Sequence, residues 1–245
     1  MLNHSGSQAG MTLVELMIAS TISLVALSAV ITVYSATARH STRQLQQAHL
    51  HQQLNGLMHL VSSDLRRAGY RHFSPGLVNP ANNPFQNPVN RVRTGFYAGE
   101  HRNSCILFAY DLDQDGLAGV GRCDDGNCEP LTDDDNVEQF GFRLRGTGIQ
   151  SRFGGSRFDC NHGYWQTVND PDIEITRLEF QPRFRCLNLD DRNSACTPDS
   201  AQLVQGGIGI RISAQLKNRA ATALTLDNWV RVRNDRLVAG SQGAD

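Results

Sequence analysis

The sequence predicts an α+β fold in which one long N-terminal helix is laid across an antiparallel β-sheet domain braced by disulfides. Three observations predict it. Residues Leu16 to Ala38 carry no charge; Leu50, Leu54, Leu57, Val61, Leu65 and Ala68 recur at three- to four-residue steps; and β-rich alternation begins only after residue 94. A helix followed by a run of strands segregates into helix and sheet layers around one core.

The N-terminus comes first. Met1 to Ala9 contains no Lys or Arg, the small residue Gly10 precedes the apolar stretch, and Glu15 is the one charge at its edge. The uncharged run of 23 residues exceeds the roughly 20 that a helix needs to cross hydrocarbon. A secretory signal has the opposite order, with basic residues first and the small-residue cleavage site after a shorter apolar core. A carboxylate in such a segment costs roughly 2.5 to 3.5 kcal/mol on insertion scales, which makes Glu15 a functional residue by default. As a plain signal anchor, the segment would leave Glu15 solvated at the interface.

Beyond Ala38 the pattern turns amphipathic, and no proline occurs before Pro75. The apolar stripe from Leu50 to Ala68 forms one helix face, and Gly69 supplies the stop. His40, His49, His51 and His59 lie on this helix; His51 and His59, eight apart, have no carboxylate at matching positions, and a solvated or interfacial role is expected.

Gly10-Met11-Thr12-Leu13-Val14-Glu15-Leu16 resembles the processing site of type IV prepilins, with Met11 where phenylalanine is commoner and a leader without a basic residue. The resemblance implies cleavage between Gly10 and Met11 by a prepilin peptidase and N-methylation of Met11. It also implies that Glu15 pairs with the N-terminal amine of a neighbouring subunit. The division then reads 1–10 leader, 11–38 transmembrane and filament-core helix, and 39–245 periplasmic pilin-like domain, with 39–69 its amphipathic helix half and 94–245 its β-rich part. Asp64-Leu65-Arg66-Arg67-Ala68-Gly69-Tyr70 and Val230-Arg231-Val232-Arg233-Asn234 resemble the PilW group of minor pilins, which is related to the J-type minor pseudopilins of type II secretion.

That resemblance implies a minor pilin that primes type IV pilus assembly and sits at the filament tip. It would be anchored in the bacterial inner membrane by a single pass, with a periplasmic C-terminal domain, before incorporation into the pilus. Its partners would be other minor pilins, the major pilin, an inner-membrane assembly platform and prepilin peptidase. The alternatives are a J-type pseudopilin and, further off, a membrane-anchored periplasmic binding protein.

Pro75, Pro80, Pro84 and Pro88 amid asparagines mark residues 73–93 as a surface loop or extended connector. Strands are expected at 104–110, 137–145, 173–184, 207–216 and 229–233, the last two alternating cleanly with one wet face. Six cysteines, Cys105, Cys123, Cys128, Cys160, Cys186 and Cys196, all fall in this half. An even number confined to one region predicts disulfides and an oxidising compartment. Of fifteen pairings the most local is 105 with 160, 123 with 128 and 186 with 196.

Asp111-Leu112-Asp113-Gln114-Asp115-Gly116 opens like a calcium loop, with oxygen ligands at alternate positions and glycine at the turn. Its twelfth position is Arg122 rather than glutamate, which excludes an EF-hand. Asp124, Asp125 or Glu129 would have to close a nonstandard calcium site, and a turn rich in Asp and Gly is the simpler reading. Asp133, Asp134 and Asp135 read as a solvated loop. His162, Tyr164 and Trp165 read as local packing.

No nucleophile elbow, phosphate loop or zinc-protease motif occurs, and no catalytic residue or cofactor is assigned. Arginine and aromatic residues at Arg152, Phe153 and Arg157 have the chemistry to touch DNA. A formal net charge of -1 gives no general attraction to nucleic acid, and none is expected. All 23 basic residues except Lys217 are arginine, which is read as composition bias.

Overall fold

The structure, a computed structural model, describes residues 10–72, 80–114, 116, 118, 123–124, 127–128, 137–217 and 219–240. Helix α1 runs Leu13–Arg67. Its start is a reciprocal cap: the Thr12 amide and hydroxyl both donate to Glu15 Oε2 at 3.0 Å, and the Glu15 amide donates to Thr12 Oγ1 at 3.3 Å. Its end is set by Gly69 at φ 74°, a left-handed conformation that only glycine adopts without steric cost. Asn234 completes the C-terminus, its amide donating to Arg67 O at 3.2 Å and Ala68 O at 3.1 Å. These are carbonyls that a helix end leaves without an internal partner.

The chain divides into two compact units, Met1–Ala48 and His49–Asp245. In the first, the apolar side chains of the helix are exposed, Leu13 at 76% and Val25 at 70%. Four of its hydroxyls are satisfied within the helix: Ser20, Thr21, Ser28 and Thr32 donate to Met17 O, Ile18 O, Val25 O and Ser28 O at 2.8 to 2.9 Å. That internal satisfaction suits a helix in an environment without water.

In the second unit, Leu50, Leu54, Leu57, Met58, Val61 and Leu65 are buried, as the stripe predicts. Two antiparallel sheets contribute the rest of the core. The first is built from β1 (Arg93–Gly95), β2 (Cys105–Ala109), β5 (Gln139–Arg145), β6 (Gly148–Gly154) and β7 (Tyr164–Thr167), in that spatial order. The second contains β8 (Ile173–Asn188), β9 (Gln202–Leu216), β10 (Arg219–Arg231) and β11 (Arg236–Val238), with β9 central: β8 pairs along one side, β10 and β11 along the other. A short ladder joins β3 (Cys123–Asp124) to β4 (Asn127–Cys128). Ile106, Phe108, Phe142 and Ile149 of the first sheet meet Leu178, Phe180, Ile208, Ile210 and Ile212 of the second in one apolar cluster with the helix.

The strands differ from expectation in instructive ways. β8 and β9 continue to Asn188 and back to Gln202, past the predicted ends, because each ladders against the other over its whole length. β10 starts at Arg219 rather than at 229, since Leu224 and Leu226 pack on the core across from Ala214 and Ile212. β6 and β7 were not expected; Gln150, Arg152 and Trp165 hide their strand character. The connector also departs from a pure surface loop: Phe85 is fully buried, within short 3-10 turns at Pro80–Asn82 and Pro84–Gln86. Residues 73–79 lie outside the described residues.

Candidate functional site

Gly10 and Met11 precede the helix on an exposed backbone, Met11 at 69%. Four residues on, Glu15 occupies the third position of the helix, where its carboxylate closes the Thr12 cap. The first turn places a negative charge where helix N-termini favour one. Both intrachain bonds from Thr12 end on Oε2. The side chain that composition marks as a misplaced charge therefore has a local partner within its own turn, signalled in sequence by Thr12-x-x-Glu15.

The acidic loop gathers differently from the sequence expectation. Asp111 and Asp113 come together with Glu138, one oxygen of each lying within 4.8 Å of the others. Glu138 arrives from the turn before β5 and was not among the expected ligands; only the ladder of β2 with β5 brings it near. Asp111 is buried and accepts from the amides of Gln114 (2.7 Å), His72 (2.8 Å) and Gly116 (3.0 Å). Glu138 accepts from the Leu112 amide at 2.9 Å. Oxygen-only donors suit a hard cation, and the same bonds also stitch the loop to the residues after α1. Asp115, and the alternative closers Asp125 and Glu129, lie outside the described residues, as do the side chain of Asp124 and the cluster Asp133 to Asp135.

Two expected disulfides are present, Cys105–Cys160 and Cys186–Cys196. Cys123 and Cys128 stand opposite one another in the β3–β4 ladder; their side chains lie outside the described residues. Three arginines hold backbone carbonyls in and around the segment that ends at the Cys105–Cys160 bridge. Arg93 donates to Phe158 O, Arg143 to Cys160 O at 2.7 Å, and Arg152 to Gln139 O and to Gly155 O at 2.8 Å. Burial pulls the Arg143 and Arg152 guanidiniums down to about 10, Asp159 opposing the shift. Arg152 is 1% exposed, which removes it from any DNA-contacting role: it holds loop carbonyls. His162 pairs with Asp159 at 2.8 Å and Trp165 donates to His162 O at 2.8 Å, the local packing that the sequence suggests.

Residues 6–31 match the prokaryotic N-terminal methylation motif, and residues 43–232 match the family described as Prepilin peptidase-dependent protein B. The second match covers the packed half of α1, the first sheet and β8 to β10 of the second. The chain belongs to the prepilin peptidase-dependent protein B family. As a member it is a pilin-like protein of pilus or pseudopilus assembly, processed by a prepilin peptidase. The motif spans Gly10, Met11 and Glu15. No curated protein and no solved structure matches the chain.

Proposed function

We propose that this protein is a minor pilin of the PilW group that primes type IV pilus assembly and is incorporated at the filament tip. The carrying observation is the exposed apolar helix from Leu13 onward, opened by one capped carboxylate directly after the Gly10–Met11 peptide. Among the described residues α1 is the one helix long and apolar enough to cross a membrane. Cleavage after Gly10 creates an ammonium at a helix N-terminus, where the backbone dipole disfavours positive charge. A carboxylate from the adjacent protomer relieves this. Glu15 thus sets axial register, the use for which buried ion pairs are best attested. In the membrane, Met11 to Ala38 forms the single pass, with the disulfide-bearing domain in the periplasm.

The PilW reading is supported by the two segments that carry the resemblance meeting in space. The Arg233 amide bonds Arg66 O at 3.4 Å, and Asn234 caps the end of α1. Partners on this reading are other minor pilins, the major pilin and the inner-membrane platform.

N-terminal mass analysis tests processing: the mature chain begins at methylated Met11, and an intact leader beside active prepilin peptidase would falsify the assignment. Glu15→Ala is expected to be cleaved normally while its incorporation into filaments falls at least about tenfold, as expected for losing a partner worth about 1.4 kcal/mol or more. Normal piliation in that variant removes Glu15 from the mechanism. Deletion of the gene separates the pilus role from the pseudopilus role: the former loses surface pili, the latter exoprotein secretion.

A further inference from the structure

The face of the second sheet turned away from the core carries an aromatic ring on a bed of bare backbone. Ile208, Ile210 and Ile212 of β9 are buried, so Gly207, Gly209 and Arg211 point outward. In register, Gly209 stands between Gln181 on β8 and Trp229 on β10, and Gly207 between Arg183 and Arg231. A Cβ on Gly207 would come within 2.9 Å of Trp229 Cζ2, and one on Gly209 within 3.8 Å of Trp229 Cε3. These atoms are opposite corners of the six-membered ring, so the indole extends along both glycines. Trp229 remains 49% exposed.

The charges on this face are unevenly neutralised. At one end Arg211 pairs with Asp227 and Arg177 with Glu179, each at 2.7 Å. Beside the indole, no described carboxylate lies within ion-pair distance of Arg183 or Arg185, and Arg231 reaches Asp235 only at 3.7 Å. Shallow hollows of about 510 and 560 Å³ flank the ring, the first bounded by Arg183 and the Arg211–Asp227 pair, the second by Arg183, Arg185 and Arg231. Positive charge is thus concentrated around one stacking platform in a chain whose net charge is -1. The expectation of no nucleic-acid contact rests on that net charge, which averages over faces that a bound strand never meets.

We propose that this face binds a single-stranded nucleic acid, with one base stacked on Trp229 and the neighbouring phosphates held by Arg183, Arg185 and Arg231. A nucleic-acid strand carries a flat π ring and a charge in every unit, which matches one ring beside a hollow edged by Arg183, Arg185 and Arg231. Stacking on an aromatic side chain accepts any base, so the site has no sequence requirement.

The test uses the full chain in detergent and a fluorescein-labelled dT oligonucleotide of about ten nucleotides, within the span of ordinary single-strand sites. Anisotropy is expected to show binding that weakens about twentyfold between about 50 and 200 mM salt, as three phosphate contacts require. Trp229→Ala weakens it about tenfold. The double variant Arg183→Gln, Arg185→Gln flattens the salt slope while leaving the melting temperature unchanged, and Arg157→Gln alters neither. The proposal is overturned by absence of binding at about 50 mM salt, by a Trp229→Ala protein that melts normally and binds as before, or by alginate displacing the probe as well as unlabelled dT does.

Discussion

Glu15 closes its own helix, accepting from both the amide and the hydroxyl of Thr12 through Oε2. Asp64 shows the opposite economy near the far end of α1. It pairs with Arg67 at 3.1 Å, yet burial raises its carboxyl above the ordinary value and outweighs the guanidinium. The same neighbourhood pushes the Tyr110 hydroxyl up to about 12, through burial first and the Asp64 charge second, with Arg67 opposing. A carboxyl whose folded value is raised adds stability that is complete below its unfolded value and is lost as pH rises through the folded one. Asp64→Asn is therefore expected to melt at or above the wild-type temperature at neutral pH, with the difference closing below about pH 4; a variant less stable at neutral pH would show that the Arg67 pair dominates. The Asp111, Asp113 and Glu138 oxygens predict a rise in melting temperature in about millimolar calcium, lost in Glu138→Gln. An unchanged melt assigns Asp111 to loop bonding alone.

At the level of elements, the helix stripe was the most legible feature, since a period of 3.6 registers burial directly in the sequence. All six residues from Leu50 to Ala68 in that stripe are buried. Leu54→Ala should cost about 2 to 5 kcal/mol and lower the melting temperature by several degrees, whereas Leu45→Ala, at a 69% exposed position, should leave it within about 1 °C. Equal effects would contradict the packing described. The strands were less legible. β6 and β7 escaped because Arg152 and Trp165 are held by carbonyls and stacked cations, Trp165 lying 4.2 Å from the Arg143 guanidinium, and no pattern of polar and apolar letters records such partners. Glu138 escaped for a related reason: 27 positions separate it from Asp111, and only strand pairing closes that interval.

At the scale of the whole molecule, the cysteines and the N-terminus argue together for an oxidising compartment reached across a membrane. Cys105–Cys160 links residues 55 apart, and closing a loop of that length removes much unfolded-state freedom. Reduction is expected to cost about 2 to 5 kcal/mol and to lower the melting temperature by roughly 4 to 20 °C; no shift on complete reduction would leave the arginine–carbonyl bonds as the main brace of residues 155–163. The N-terminal methylation motif, the long helix and its buried stripe follow from the sequence alone, because they depend on residues within a few turns of one another. The Glu138 cluster, the helix cap supplied by Asn234 and the indole beside Gly207 and Gly209 were decided only by the tertiary structure, because each joins residues that strand pairing and packing bring together from distant parts of the chain.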